Sequence, residues 1–330
     1  MTPAAPGPDR PAGAPPARPR SGSGPASPSG ADPRTDWHAE DFGLEYTELT
    51  GMAASRLQGV LRAGYRVLGA DGAVDPGALL GAADIVGGVA SGLSVMPAWV
   101  VTTTMAARID RARAAGPLGV TATVLRSGDR SAVSLVRFTD GEDPQAGPVL
   151  AEVAVTSAVR RPDGLDLGFA RPLHRRLTRP PSTAATADAY ALHAVDDRTV
   201  RLELQPHLRN PWGILHGGAM SVLLDRAARH AALAGAEPGD RVLADPGDRF
   251  PAGPGHRVPA GPGPARPVSA EDGSGSRSFV LHFLAPTVVG PAEARCTLLG
   301  SGPAGTVVRV SVHDTGAADA QVALAAVVVA

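Results

Sequence analysis

The chain has 330 residues with a formal net charge of -1, and 43% of them are hydrophobic while only 4% are aromatic. This length accommodates two ordinary domains, and the nearly neutral charge argues against a nucleic-acid-binding or membrane-surface protein. The one cysteine, Cys296, excludes an intrachain disulfide framework, gives no support to a cysteine-based zinc site and suits a reducing, cytoplasmic compartment. The sequence predicts neither a membrane span nor a secretory signal.

Three low-complexity segments divide the chain. Residues 1–35 consist mainly of Pro, Gly, Ala, Ser and Arg and are predicted to form a disordered tail. Residues 171–186, rich in Arg and Pro, are predicted to link a first domain at 36–170 to a second at 187–330. A Pro/Gly-rich stretch at about 246–276 interrupts the second domain and predicts a long surface loop, either a lid or a disordered insertion.

The two domains share one order of predicted elements. In the first, a strand at 56–68 precedes a helix at 76–92, whose first residue, Pro76, suits the first turn of a helix. In the second, a hairpin at 190–205 precedes a helix at 217–234. Four strands follow in each domain: 99–113, 120–126, 131–138 and 149–159 in the first, and 276–286, 293–299, 307–312 and 321–329 in the second.

This order predicts an α+β fold in which each domain is an antiparallel sheet with one helix on its face. Both helices are apolar nearly all round, which is typical of a helix wrapped by a sheet. Asp84 follows Asp75 by nine residues, and Asp225 follows His216 by the same nine residues. The shared spacing indicates an internal duplication.

The segment from Asn210 to Asp225 carries the most chemical information. It predicts a turn and then a helix opened by His216, Gly217 and Gly218. Backbone amides at a helix N-terminus are unpaired and lie at the positive end of the helix dipole. Glycine allows a substrate carbonyl to approach them, so both glycine amides are candidate donors to an oxyanion.

Asp225 is the second chemical candidate, since it lies on an otherwise apolar helix. Burial raises the pKa of a carboxyl group, which suits a general base that activates water. Structural interpretations stay open for each residue alone: His216 as a helix cap, Asp225 as a buried group bonded to a strand, and Asn210 as a turn residue.

The motif Asn-x5-His-Gly-Gly-x6-Asp, from Asn210 to Asp225, resembles that of hotdog-fold acyl-CoA thioesterases, closest to the phenylacetate-pathway and 4-hydroxybenzoyl-CoA thioesterase-like branch. The resemblance implies that the Gly217 amide polarises the thioester carbonyl, with Asn210 and His216 nearby and Gly218 in contact with substrate. It implies that the helix carboxylate activates or positions water. It also implies a helper hydroxyl on the following strand, where Ser276 falls, with Ser278 as the neighbouring candidate.

The first domain resembles the same fold in a degenerate form. Asp75, Pro76 and Gly77 replace the His-Gly-Gly motif, and proline has no N–H to donate. Asp84 is retained, and Thr102 or Thr104 falls near the helper position. In that family, sites form between two hotdog units, so the resemblance implies an intramolecular pseudo-dimer in which Asp84 completes the site of the second domain. Further homo-oligomers are usual in the family.

The predicted function is hydrolysis of an acyl-CoA substrate by general-base-assisted attack of water, without metal or other cofactor. Two alternatives stay open at this point: a hotdog hydratase or dehydratase acting on enoyl thioesters, and a non-catalytic acyl-CoA-binding protein.

Overall fold

A computed structural model describes residues 42–48, 56–62, 73–110, 117–161, 174–175, 190–210, 213–235 and 276–330. The predicted tail at 1–35 and the predicted loop at about 246–276, apart from its last residue, lie outside the described residues. Only 174–175 of the predicted linker at 171–186 are described, and they form a short strand rather than an unstructured connection.

The helices and strands follow one another as two similar series. Their bounds are β1 Leu44–Glu48, β2 Arg56–Leu61, α1 Pro76–Val95, β3 Trp99–Ile109, β4 Leu118–Ser127, β5 Ser131–Asp140, β6 Val149–Arg160, β7 His174–Arg175, β8 Leu192–Asp196, β9 Thr199–Leu202, a 3-10 turn Pro206–Leu208, α2 Gly217–Gly235, β10 Arg277–Phe283, β11 Ala292–Gly302, β12 Gly305–Asp314 and β13 Ala320–Val329. Both predicted helices and the predicted hairpin are confirmed. Strands β1 and β7 were not predicted.

The described strands form one antiparallel sheet of 13 strands in the order β7-β1-β2-β4-β5-β6-β3-β10-β13-β12-β11-β9-β8. Read outward from its middle, the first half runs β3-β6-β5-β4-β2-β1 and the second runs β10-β13-β12-β11-β9-β8. The halves therefore have the same topology, which agrees with the predicted duplication. They meet where β3 pairs with β10, from Ile109 opposite Arg277 to Thr104 opposite His282.

A second repeat, missed in the sequence, precedes the first strand of each half. Phe42-Gly43-Leu44 leads into β1 and Tyr190-Ala191-Leu192 leads into β8. The middle residue is left-handed in both, with φ of 67° at Gly43 and 48° at Ala191. The aromatic residue and the leucine are buried in each case, so the left-handed residue turns the chain between two core side chains.

One hydrophobic core, rich in Ala, Val and Leu, extends through both halves between the helices and the sheet. Helix α1 is long and apolar enough to meet the criteria for a membrane span, which the sequence analysis did not anticipate. Most of it is buried inside the fold, however, and a core helix meets the same criteria. The Asp75 side chain caps the N-terminus of α1 by accepting a hydrogen bond from a backbone amide of the first turn.

Candidate functional site

The N-terminal turns of α1 and α2 pack directly against each other. A Cβ atom built on Gly77 would lie 2.8 Å from the Val222 Cα, and one built on Gly81 would lie 2.9 Å from the Gly218 Cα. Only glycine permits so close an approach of two helix backbones. Adding 141 to 77 and 81 gives 218 and 222, so the two contacts are related by the same duplication that relates the halves.

The turn before α2 is held by a set of backbone hydrogen bonds. The Leu215 amide donates to the Thr287 carbonyl at 2.9 Å, and the His216 amide donates to the Leu208 carbonyl at 2.9 Å. Asn210 belongs to this turn: its amide donates to the Ile214 carbonyl at 2.8 Å, and its side-chain oxygen accepts from the Ile214 amide at 3.3 Å. The structure thus gives Asn210 a turn-stabilising contact.

His216 caps α2. Its Nδ1 atom accepts a hydrogen bond from the Gly218 amide at 2.9 Å. A ring nitrogen that accepts in this way carries no proton, so the neutral imidazole has its proton on Nε2. The Gly218 amide, one of the two candidate oxyanion donors, is therefore engaged by the protein itself.

Gly217 is the first residue of α2, so its amide has no intrahelical acceptor. The Asp84 carboxylate, carried by α1, lies directly against the Gly217 residue: a Cβ atom on Gly217 would overlap Asp84 Oδ2 and come within 3.1 Å of its Cγ. Both residues are partly exposed. The structure thus brings together the first residue of a helix from one half and a carboxylate from the other, although Asp84 Oδ1 is itself buried.

Asp225 lies elsewhere. It is eight residues along α2 from Gly217, about 12 Å away at the rise of an α-helix. Its Cβ atom lies 3.0 Å from a Cβ built on Gly77, so it faces the N-terminus of α1. The side chain is fully buried, and among the described residues neither carboxylate oxygen has a hydrogen-bond partner.

The pKa of Asp225 is raised to about 6, mainly by burial and also by the nearby carboxylate of Asp75, while Arg229, Arg277 and Arg226 oppose the increase. All four neighbours are buried. Asp75 itself is held on two sides: Arg226 Nη2 lies 2.6 Å from its Oδ2, and its Oδ1 accepts the Ala78 amide at 3.0 Å. The N-terminus of α1 is therefore occupied by a closed cluster of charges.

The predicted helper hydroxyls are placed less favourably. Ser278 is exposed on β10, where Arg277, Phe279 and Leu281 alternate with it and are buried, so Ser278 lies on the face of the sheet away from the helices. Because side chains alternate between faces, the structure does not bring Ser278 to Gly217. Ser276 is partly exposed immediately before β10.

Thr102 is partly exposed on β3, opposite Ser157, at the irregularity that separates it from Thr104. Thr104, by contrast, lies 3.3 Å from His282 Nδ1 through its Oγ1 atom in an exposed contact across the seam between the halves. Of the two threonines, Thr102 keeps the helper position as a prediction.

Phe42 is a further residue at this site that the sequence analysis did not identify. Its ring is fully buried and packs against both glycine turns, since a Cβ on Gly218 would lie 2.7 Å from Phe42 Cε2 and one on Gly81 would lie 2.5 Å from Cζ. The ring centroid is 6.4 Å from that of Tyr190. The repeated aromatic-small-leucine triplets were the signal for it.

The described residues contain no group of three or more His, Cys, Asp or Glu side chains placed to hold a metal ion. Burial raises the pKa of the Cys296 thiol to about 12, whereas a nucleophilic cysteine needs a lowered pKa.

Comparison with solved structures supports the fold. The chain is similar to the 12:0-ACP thioesterase from Umbellularia californica, with 11% identity, a TM-score of 0.50 and coverage of 83% of this chain and 94% of that one. The chain has a hotdog-type fold. Each half places one long helix against an antiparallel sheet, as the resemblance implied.

Two further structures show weaker similarity. An acyl-CoA thioesterase II from Mycobacterium marinum is 11% identical with a TM-score of 0.48, covering 89% of this chain and 98% of that one. A conserved protein of unknown function with a hot dog fold from Alicyclobacillus acidocaldarius is 13% identical with a TM-score of 0.47, covering 90% and 98%. No family model and no curated protein sequence matches the chain.

Proposed function

We propose that the protein is a thioester hydrolase that acts on acyl-CoA at one composite site between its two halves. The observation that carries the proposal is the contact between Asp84 of α1 and Gly217 of α2. It places a carboxylate beside the first amide of a helix, which is the pairing needed to activate water and to stabilise an oxyanion at the same carbon. The fold similarity to named thioesterases supports the same class of reaction.

In the proposed reaction, the thioester carbonyl accepts a hydrogen bond from the Gly217 amide. Asp84 accepts a proton from a water molecule as the water oxygen bonds to the carbonyl carbon. The negative charge that develops on the carbonyl oxygen lies at the positive end of the α2 dipole, which stabilises the tetrahedral intermediate. Its collapse breaks the carbon–sulfur bond, and the proton held by Asp84 passes to the departing CoA sulfur.

His216 supports this arrangement in the proposal by fixing the first turn of α2. Because its Nδ1 atom engages the Gly218 amide, the Gly217 amide is the donor assigned to the substrate. Asn210 stabilises the preceding turn, and Thr102 and Ser276 stay as proposed helpers. Gly218 contributes through its lack of a side chain, which leaves room for the Phe42 ring.

The proposal treats the two halves as an intramolecular pseudo-dimer of hotdog domains with unequal sites. The equivalent place at the N-terminus of α1 has no catalytic role in it, because Pro76 lacks an N–H and because Asp75, Asp225 and Arg226 are all buried there. The single cysteine keeps the cytoplasm as the proposed compartment.

The test is to incubate the purified chain with acyl thioesters of several lengths, aliphatic and aromatic, each supplied on CoA and on acyl carrier protein, together with a thiol reagent. Release of free CoA that is lost in Asp84→Asn supports the proposal. Hydration of an enoyl thioester without thiol release supports the hydratase alternative, and binding without turnover supports a non-catalytic role. If the acyl carrier protein thioester is hydrolysed faster than the CoA thioester, the substrate is acyl carrier protein and not CoA.

A further inference from the structure

The ion pair between Arg226 and Asp75 joins the two helices at the end of their crossing that lies away from Gly217. Both side chains are almost completely buried, with exposures of 1% and 0%, and the joined atoms are 2.6 Å apart. Since Asp75 also accepts the Ala78 amide, a continuous series of hydrogen bonds runs from α2 through Asp75 into the first turn of α1.

At the closest approach of the two helices, their own side chains contribute little to fixing how far one helix lies along the other, and the Phe42 ring packs against Gly81 and Gly218 from outside both helices. Three of the four residues in closest contact are glycines: Gly77, Gly81 and Gly218, with Val222 as the fourth. Glycine surfaces bring backbones together but offer no side-chain ridges to interlock. A buried ion pair is directional, and fixing the register of packed elements is the best-attested use of such pairs.

Register along this crossing matters because Asp84 and Gly217 belong to different helices. Asp84 lies nine residues after Asp75 on α1, and Gly217 lies nine residues before Arg226 on α2. Sliding one helix along the other moves the carboxylate relative to the amide by the same amount. A displacement of about 1 Å in a catalytic group is enough to lower the rate about 100-fold.

We propose that Arg226 and Asp75 form a positioning pair, which sets the register of α1 against α2 and thereby holds Asp84 against Gly217. Neither residue touches the substrate. The kinetic test of this pair rests on the proposed function, so a second test is chosen that needs no substrate.

The kinetic test uses the double variant Asp75→Asn/Arg226→Met. Asparagine keeps an oxygen that accepts the Ala78 amide, and methionine keeps much of the length of arginine without its charge. Replacing a buried ion pair by uncharged groups of similar volume is often neutral for stability, so we expect a folded protein with a Tm close to the wild type. We expect kcat to fall about 10-fold with KM changed less than about twofold.

Arg226→Lys serves as the conservative variant. It keeps one charged hydrogen bond to Asp75, so we expect it to retain most of the wild-type kcat. A folded double variant with unchanged kcat, or an Arg226→Lys variant as slow as the double variant, would overturn the positioning role.

The matched control is Ser134→Ala. Ser134 is buried on β5 and its Oγ donates to the Gly87 carbonyl of α1 at 3.1 Å, so it links α1 to the sheet and not to α2. We expect this variant to lower Tm without changing kcat. If kcat falls in proportion to Tm in both variants, the ion pair is merely structural and the inference fails.

The second test measures amide hydrogen exchange in the first two turns of α1 and α2. We expect faster exchange there in the double variant and wild-type exchange in Ser134→Ala. A wild type that hydrolyses no thioester, together with this exchange pattern, would disprove the proposed function and retain the register role. Unchanged exchange in the double variant would disprove the register role whatever the activity.

Discussion

The N-terminal turns of α1 and α2 occupy equivalent positions in the two halves but differ in chemistry. Helix α2 opens with Gly217 behind a capping His216 and faces Asp84, and all three are partly exposed. Helix α1 opens with Pro76 behind a capping Asp75 and faces a fully buried Asp225. One geometry, a helix terminus facing a carboxylate from the other helix, thus gives an accessible acidic group in one place and a closed cluster in the other.

The neighbours of the two carboxylates explain this difference. Subtracting 141 from Arg226 and Arg229 gives Ile85 and Gly88, which carry no charge. Asp225 therefore lies near three arginines, and the two of them that α2 carries have uncharged counterparts on α1. Such countercharges stabilise a fully buried carboxylate, whereas Asp84 is partly exposed.

The largest effect that tests this comparison is on turnover. We expect Asp84→Asn to lower kcat by about 100- to 10,000-fold, because a general base is lost, and Asp225→Asn to lower it much less. Steady-state release of CoA from the best acyl-CoA substrate measures both. If Asp225→Asn lowers kcat more than Asp84→Asn does, the catalytic carboxylate is Asp225 of α2.

The next effect is on stability. We expect Arg226→Met alone to lower the free energy of unfolding by about 3–5 kcal/mol, because Asp75 stays buried without its ionic partner. Urea unfolding measures the change. Arg161→Met, which removes an exposed ion pair with Asp129, is the control and is expected to change little. Equal losses in the two variants would show that the buried cluster has no special role.

A smaller effect is expected on the pH dependence of stability. The pKa of Asp225 is about 6 in the fold and 3.8 ordinarily, mainly because of burial, so the charged form disfavours folding. Below about pH 4 the group is protonated in both states and the fold carries no such penalty. Stability then decreases as pH rises from about 4 through about 6, because the buried group becomes charged. Asp225→Asn should therefore exceed the wild type in stability at pH 8 by up to about 3 kcal/mol.

The measurement is urea unfolding of both proteins at a series of pH values between 4 and 8. The difference should shrink steadily toward pH 4, where Asp225 is protonated in the fold. A difference that is constant across the series would show that Asp225 keeps an ordinary pKa.

The smallest expected effect concerns the cap of α2. His216→Ala removes the acceptor of the Gly218 amide and should lower the free energy of unfolding by about 1 kcal/mol. His216→Asn restores an acceptor and should recover most of the loss. Thermal unfolding followed by circular dichroism measures both variants, and equal melting temperatures for the alanine variant and the wild type would contradict the capping role.

Much of the fold could be predicted because its signals are local. Short stretches of sequence contain the signals for the start of α1 at Pro76, for the apolar helices and for the alternation in the strands. The nine-residue spacing indicated the duplication. The outward orientation of Ser278 is also a local signal, because the apolar residues Phe279 and Leu281 alternate with polar or exposed positions along the strand.

The features that could not be predicted depend on contacts between segments that are far apart in the sequence. That Asp225 faces Gly77 and that Arg277 comes close to it follow from the helix crossing and from the seam between β3 and β10, which no local pattern encodes. Phe42 was missed because its triplet is short and lies far from the motif. The turn role of Asn210, by contrast, was one of the interpretations that the sequence left open, and the hydrogen bond from the Ile214 amide to the Asn210 side chain agrees with it.

The seam between β3 and β10 joins six pairs of residues within a single polypeptide. When two identical chains associate about a twofold axis, every substitution is made twice, and a proline that removed a donor would remove it from both sites. In this protein the two halves are encoded separately, so a substitution in one half is not repeated in the other, and the halves are always present in equal amounts. Each half can therefore differ from the other, and in the proposed function the second half supplies the Gly217 amide while the first supplies the Asp84 carboxylate.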